Sequence, residues 1–320
     1  MQVLDKTFGK TFDKALGKVR YNRRTSPMFY WSHAPALWLR RLRTRRPPSP
    51  VARRVSDDLR ATAVGTTSID ELAFPGRDRF WEQVDGLVRR MEPVTVGAID
   101  GDVLDGRNTH FHCISIDCPQ LAEEAPEVLM LGVDETVLDA IERYLGVPAA
   151  LCDVHLRKDV GNGAQVGTRI WHLDTEDHRT VRMIVYLNDI TVDDGPFEYL
   201  PLDISSSMPP EIVDRGLRAK GDPLLDEEME QLVPRVRWCQ AIGPRGTVSL
   251  ADNARLFHHG KAHESLRLAI FYTFTSRSPR YPAIRRTPVF DDRRSPRPRG
   301  AVFVDTTLGR GRRRAGRAGP

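Results

Sequence analysis

The 320-residue chain is 40% hydrophobic and 28% charged, the composition of an ordinary globular protein and not of a disordered or fibrous one. Its longest apolar runs, such as residues 181–187, fall far short of the ~20 residues a bilayer span requires. The N-terminal stretch lacks the apolar core and small-residue cleavage site of a secretory signal, so a cytoplasmic protein is expected. The net charge of +5 conceals a segregation: residues 1–60 carry 15 Lys and Arg against 4 Asp and Glu, and residues 276–320 carry 13 against 3, leaving 20 against 36 in the middle.

The first sixty residues read as a basic arm and linker. An amphipathic helix is expected around Asp5–Val19, followed by the aromatic stretch Met28-Phe29-Tyr30-Trp31 and the run Leu37-Trp38-Leu39-Arg40-Arg41. The consecutive prolines of Arg43-Thr44-Arg45-Arg46-Pro47-Pro48-Ser49-Pro50 interrupt helix propagation, which places the expected start of the folded core at residue 61. Two helices follow from 3.6-residue periodicity: one over 79–91, with Phe80, Trp81, Val84, Leu87, Val88 and Met91 on one face, and one over 134–145, capped by Asp134.

From about residue 148 the pattern turns to strands, over 150–156, 168–173, 181–187, 248–250 and 268–274, with short helical interruptions at 210–220 and 224–232. Helices first and many short strands afterward indicate a mainly β fold with flanking helices, an antiparallel barrel or double-sheet jelly roll over residues 61–282. Beyond it, residues 283–320 form a cationic, low-complexity tail, expected to be mobile because it offers little apolar surface against its ordering entropy. The cysteines Cys113, Cys118, Cys152 and Cys239 show neither C-x-x-C spacing nor the density of a disulfide scaffold and read as free thiols.

The chemistry concentrates in Trp171-His172-Leu173-Asp174, where a histidine and a carboxylate two residues apart at a strand end project to the same side. A two-histidine, one-carboxylate iron site needs a second histidine from elsewhere. Residues 246–260 supply a candidate in His258, with His259 as its rival, and Arg267 follows at the head of the strand RLAIFYTF. Alternation puts Arg267, Ala269, Phe271 and Thr273 on one face, so an inward-facing Arg267 requires an anionic partner, which a dicarboxylate cosubstrate would supply.

The order H-x-D, about 84 residues, H, nine residues, R resembles the iron(II)- and 2-oxoglutarate-dependent oxygenases. The local wording WHLDTEDHRTVRMIVYLNDITVDDGPFEYLP and DNARLFHHGKAHESLRLAIFYTF looks like the phytanoyl-CoA dioxygenase group in particular, well over residues 168–277 and by position alone over 61–167. The resemblance implies a double-stranded β-helix (cupin-like jelly roll) in which His172, Asp174 and His258 bind Fe(II) and Arg267 holds the distal carboxylate of 2-oxoglutarate. It further implies consumption of O2, release of succinate and CO2, and hydroxylation of a C–H bond in a small or carrier-linked substrate, with stimulation by ascorbate. Halogenating relatives lack the carboxylate found here at Asp174, which disfavours halogenation. Arg182 and Tyr186 share a strand face and are expected to reach the cosubstrate or substrate. After GPFEYLP the chain continues Leu202-Asp203-Ile204-Ser205-Ser206 where many relatives have a Gly-Ser-His-like turn, so the resemblance carries no substrate identity.

Other readings stand beside this one. His110 and His112 offer a second metal pair, against a half-exposed strand with polar side chains outward. Glu176 and Asp177 read as a solvated loop, and His178 and His263 as surface or loop residues. The basic arms suit an anionic membrane surface, an acidic partner or nucleic acid, so a noncatalytic jelly-roll interaction protein is the alternative function. A cupin-like metal isomerase or hydrolase would use the same pocket without 2-oxoglutarate.

Overall fold

The structure is a computed structural model and describes residues 27–44, 47–93, 113–218, 222–263, 265–277 and 279–280. The expected helix over 5–19, the His110/His112 pair and the C-terminal tail lie outside the described residues. Nine strands are described: β1 (Val64–Ser68), β2 (Cys113–Ile116), β3 (Ala149–Asp159), β4 (Val181–Tyr186), β5 (Phe197–Tyr199), β6 (Cys239–Ala241), β7 (Thr247–Asp252), β8 (His258–Gly260) and β9 (Arg267–Ser276). They form a six-stranded sheet in the order β1-β7-β4-β9-β3-β2 and a three-stranded sheet β6-β5-β8, with antiparallel pairing throughout. This is the double-sheet jelly roll with flanking helices that the sequence leads one to expect.

Alternation along the strands separates two environments. Leu268, Ile270, Tyr272 and Phe274 of β9 join Met183 and Val185 of β4 and Val248 and Leu250 of β7 in one core, against helices Pro50–Thr62, Arg77–Met91 and Glu135–Leu145. The opposite face carries Ile184, Tyr186, Ala251 and Ala269, which pack with Phe197 toward the small sheet. Because side chains in a strand alternate, one face is committed to the helices and the other to the space between the sheets.

Strand β3 departs from simple alternation. Its register with β9 shifts between Leu151 and Asp153, so Leu151 and Val154, three apart, both join the helix-covered core. Such a bulge inserts one residue and re-aims those that follow. Here it turns Asp153, His155 and Arg157 toward the cavity between the sheets.

Helix ends follow local chemistry. Asp134 caps Glu135–Leu145 by accepting from the Thr136 N–H at 2.8 Å, and the helix closes at Gly146, whose φ of +74° favours glycine. Ser49 caps Pro50–Thr62 by accepting from Ala52 N–H at 3.0 Å, with Pro50 in the first turn. That helix buries Ala52, Val55 and Leu59, so packed structure extends ahead of residue 61, and of the prolines in the expected linker Pro50 starts a helix. Part of the aromatic arm is docked as well. Tyr30 is buried and donates from its hydroxyl to Leu145 O at 3.1 Å, whereas Met28 and Trp38 are exposed.

The strand expected over 168–173 is not continuous. Residues Gly167–Arg169 form a 3-10 turn, and Trp171 and His172 make isolated bridges to Leu224 and His258. Two neighbouring residues pair with different segments, so no ladder extends there. None of the four cysteines is in a disulfide, and three of them are buried.

Candidate active site

The single bridge at His172 brings the chemistry together. His172 N–H donates to His258 O at 3.0 Å and His258 N–H donates back to His172 O at 3.1 Å, so two segments distant in sequence meet as a closed antiparallel pair. Asp174 is fixed next to them by its own N–H, which donates to Asn253 O at 2.9 Å. The three side chains converge: one donor atom from each of His172, Asp174 and His258 lies within 4.8 Å of the others. Asp174 Oδ1 stands 3.9 Å from His172 Nε2 and 4.0 Å from His258 Nε2.

Both imidazoles present the same tautomer. His172 Nδ1 donates to Ile170 O at 2.7 Å and His258 Nδ1 to Leu256 O at 2.9 Å, so each Nε2 carries a lone pair directed toward Asp174. Burial lowers the His172 pKa, and burial together with the neighbouring His172 pushes His258 down to about 3. Burial alone would raise the Asp174 carboxyl, but the Arg182 guanidinium and the two imidazoles outweigh it and hold it well below the usual carboxylate range. Two neutral nitrogen donors and one anionic oxygen around one point suit a divalent transition metal with open positions. His259, the rival ligand, points away: its Nε2 bonds Glu198 at 2.8 Å, its Nδ1 faces Arg169 O at 3.2 Å, and its ring stacks on Trp171 at 4.0 Å.

The triad opens into a cavity of about 270 Å³ between the sheets, lined near the triad by Arg182, Ile184, Phe197 and Phe271. Arg182 serves the ligand set: Nε donates to Asp174 Oδ2 at 2.7 Å, one terminal nitrogen to Glu176 Oε1 at 2.6 Å and the other to Thr273 Oγ1. Tyr186 lines the cavity, yet its hydroxyl donates to Ala241 O at 2.7 Å and accepts from Phe197 N–H at 3.2 Å, which ties β4 to the small sheet.

Arg267 lies on the inward face and lines the cavity. Its anionic partner comes from within the protein: Asp159 is directly across the β3/β9 ladder, and its Oδ2 accepts from Arg267 at 2.7 and 2.9 Å. A further Arg267 nitrogen donates to Gly195 O. The other Asp159 oxygen accepts from Arg157 at 2.8 and 2.9 Å, and Arg157 also donates to Thr168 Oγ1 at 2.7 Å. Burial would raise the Asp159 carboxyl; Arg157 and Arg267 together drive it well below its ordinary value. Two guanidiniums thus share one carboxylate at this end, with the fully buried Arg169 behind them, and among the described residues the local charge stays positive.

Several side chains differ from their sequence expectations. Glu176 and Asp177 are buried, not solvated: Glu176 holds Arg182, and Asp177 accepts from the Ser276 and His178 N–H groups at 2.9 and 2.8 Å. Asp177 is buried because the strand end at Ser276 leaves an N–H donor that needs an acceptor, and Glu176 because it pairs with Arg182. His263 is buried against Arg169 at 3.2 Å, and burial together with Arg267 and Arg169 pushes it down to about 4. His178 is half-buried, with its ring 5.7 Å from Tyr30.

The polar row Asp153, His155, Arg157 and Asp159 was absent from the sequence reading, as was Asn253. A signal for the first exists in LCDVHLRKD, where polar residues recur at every second position between Val154, Leu156 and Lys158. Ending the strand at Leu156 concealed it.

No protein-family model and no curated protein matches the chain. Among solved structures it is similar to EctD from S. alaskensis with 2-oxoglutarate and 5-hydroxyectoine, at 19% identity over 72% of this chain and 79% of that one, with a TM-score of 0.45. It is similar also to HygX from Streptomyces hygroscopicus with nickel and 2-oxoglutarate bound (16% identity, 72% and 88% coverage, TM-score 0.48). A third is SnoN, a non-heme alpha ketoglutarate dependent epimerase from nogalamycin biosynthesis (15% identity, 70% and 83% coverage, TM-score 0.43). Likenesses of this degree leave function to be argued from the site.

Proposed function

We propose that this protein is an Fe(II)- and 2-oxoglutarate-dependent dioxygenase that hydroxylates a C–H bond in a small or carrier-linked metabolite, releasing succinate and CO2. The observation that carries the proposal is the convergence of His172, Asp174 and His258 on one point at a cavity wall, with both imidazoles neutral and lone pairs inward. A ferrous ion bound there would supply the activation of O2 and the oxidative decarboxylation of 2-oxoglutarate.

The chain's own residues have definable roles in this scheme. His172, Asp174 and His258 would hold the ion, a donor set that suits a metal with positions open to the cosubstrate and O2. Arg182 fixes the Asp174 oxygen that faces away from the imidazoles. The positive group formed by Arg267 and Arg157 around Asp159 suits the distal carboxylate of 2-oxoglutarate, because a guanidinium stays charged when desolvated and binds carboxylates directionally. Ile184, Phe197 and Phe271 line the same space and limit water. The carboxylate at Asp174 favours hydroxylation over halogenation, and ascorbate is expected to sustain turnover. Membership of the phytanoyl-CoA dioxygenase group is part of the proposal and rests on the local sequence resemblance.

Anaerobic titration with Fe(II) and then 2-oxoglutarate tests the scheme. A weak visible charge-transfer band that is lost in His172→Ala is the expected result, and its absence at saturating metal and cosubstrate overturns the assignment.

We also propose a cytoplasmic protein whose basic N-terminal arm sits at an anionic membrane surface; the exposed Met28, Trp38 and Leu39 beside an arginine run support this. Vesicle flotation of wild type and His172→Ala separates that role from catalysis. Equal, salt-sensitive binding by both, with no 2-oxoglutarate turnover, would favour the noncatalytic interaction protein.

A further inference from the structure

The proposed chemistry gives no role to the Asp153 and Asp117 side chains that line the cavity. Ladder registers order the residues across the large sheet. Ala251, Arg182, Thr273 and Asp153 lie in one row through β7, β4, β9 and β3, and Asn253 follows two residues beyond Ala251. Arg267 and Asp159 pair at the opposite end of the β3/β9 ladder. Asp153 and Asn253 therefore share the end of the sheet away from the arginine pair, and both line the cavity.

The two ends have opposite character. Arg157 and Arg267 meet at the first. At the second, Asp153 is joined by Asp117, which follows β2 and also lines the cavity. The two carboxylates are close enough to act on one buried thiol: burial, then Asp153, then Asp117, push Cys118 up to about 12. Asp153 Oδ2 is shared with His155 Nδ1 at 3.2 Å, and the His155 ring stacks on Phe271 at 5.2 Å, forming a flat aromatic wall beside the carboxylate. Arg182, the cation in the same row, has each of its three nitrogens engaged by Asp174, Thr273 and Glu176.

An independent feature points to a ligand at this end. Asn253 is 4% exposed, and its Oδ1 is buried with no hydrogen-bond partner. Its main chain is fully used, since its carbonyl holds Asp174 N–H and its N–H donates to Thr180 O, both at 2.9 Å. On β7, Val248 and Leu250 face the helices while Ala251 packs toward the small sheet; continuing that alternation turns the Asn253 side chain to the cavity. A buried carboxamide oxygen left unmatched calls for a donor from outside the protein.

We infer that this end is the substrate pocket and that it takes a substrate carrying a protonated amine, with the ammonium against Asp153 and Asp117 and a hydrogen-bond donor reaching Asn253. The inference rests on the dioxygenase assignment in one respect: the anionic cosubstrate takes the arginine end and leaves the acidic end for the substrate. The protonated amine suits this end because it brings positive charge to two cavity-lining carboxylates and a donor to the unmatched Asn253 oxygen.

The test is saturation-transfer NMR on the full chain loaded with Zn(II) and 2-oxoglutarate, using size-matched aliphatic amines, alcohols and carboxylates. With 2-oxoglutarate saturating, carboxylate fragments have no vacant arginine end to occupy. Amines are expected to bind at least about ten-fold more tightly than matched alcohols. Asp117→Asn/Asp153→Asn, isosteric and able to keep the helix cap, should abolish that preference, and Asn253→Ala should weaken amine binding. Zn(II) and 2-oxoglutarate affinities measured on the same samples report whether the site survives each change. No preference for amines in the loaded wild type overturns the inference, as does a preference that persists in a loaded double variant. Failure of the wild type to take up Zn(II) and 2-oxoglutarate removes instead the dioxygenase assignment.

Discussion

Arg182 Nε donates to Asp174 Oδ2 at 2.7 Å, and this bond leaves Oδ1 as the oxygen that faces both histidines, at 3.9 and 4.0 Å. The guanidinium therefore sets both the charge and the rotation of the carboxylate. Replacing Arg182 with Met frees Asp174 to turn and leaves Glu176 buried without its cation. Groups that orient metal ligands typically contribute about 10–100-fold in affinity. Calorimetric Zn(II) titration of Arg182→Met is expected to show a loss of that order, with Arg182→Lys recovering part of it.

The histidines give a pH signature. His258 is pushed from its ordinary 6.5 down to about 3 in the folded protein. Between those values the unfolded chain binds a proton that the folded one does not, so this group's contribution to stability is intact above 6.5 and is lost as pH falls. Asp252 acts in the opposite sense: burial pushes it from 3.8 up to about 6, so its contribution declines as pH rises through that interval. Subtracting His258→Asn from wild type in urea melts at pH 5 and pH 7 isolates the histidine, and the variant is expected to lose less stability on acidification. For the same reason, metal binding at pH 6 to 7 should release almost no proton from His258, measurable by calorimetry in buffers of different ionisation enthalpy.

Asp159 joins two arginines. Removing one member of a buried ionic group typically costs ~3–5 kcal/mol, because the remaining charges stay desolvated. Asp159→Asn leaves Arg157 and Arg267 facing each other across β3 and β9, and urea denaturation should show a destabilisation of that order.

Arg267→Lys keeps the charge opposite Asp159 but loses the planar fork. Charge-assisted hydrogen bonds contribute about 1.5–3 kcal/mol. The apparent KM for 2-oxoglutarate is expected to rise by about ten-fold or more, while the melting temperature changes less than in Asp159→Asn.

Gly195 is held at φ +67°, its carbonyl accepts from Arg267, and a Cβ there would lie 2.0 Å from His263 Cδ2. Gly195→Ala therefore meets both backbone strain and a collision with a buried ring. A destabilisation of ~2 kcal/mol or more is expected in urea melts, together with weaker 2-oxoglutarate binding.

Much of the large sheet was legible because its residues obey one rule at a time. Leu268, Ile270, Tyr272 and Phe274 alternate without interruption, and Asp134 and Gly146 bracket a helix by cap chemistry alone. The triad was legible from spacing and from the resemblance it supported. What stayed hidden depends on neighbours that only the fold supplies. Asp159 is the partner of Arg267 through cross-strand register, which no local pattern encodes. The bulge at Leu151/Asp153 reversed the facing of a polar row whose alternation was visible but whose side of the sheet was not. Glu176 and Asp177 looked solvated because acidic residues usually are; their burial depends on Arg182 and on the Ser276 N–H, distant in sequence.

The paired N–H to carbonyl bonds between His172 and His258 carry a thermodynamic consequence. The two imidazoles are anchored by a ring of main-chain atoms that closes on folding, before any ion arrives. Assembling the chelate then draws little on conformational freedom at the moment of capture, so metal uptake should be fast and its release should leave the framework standing.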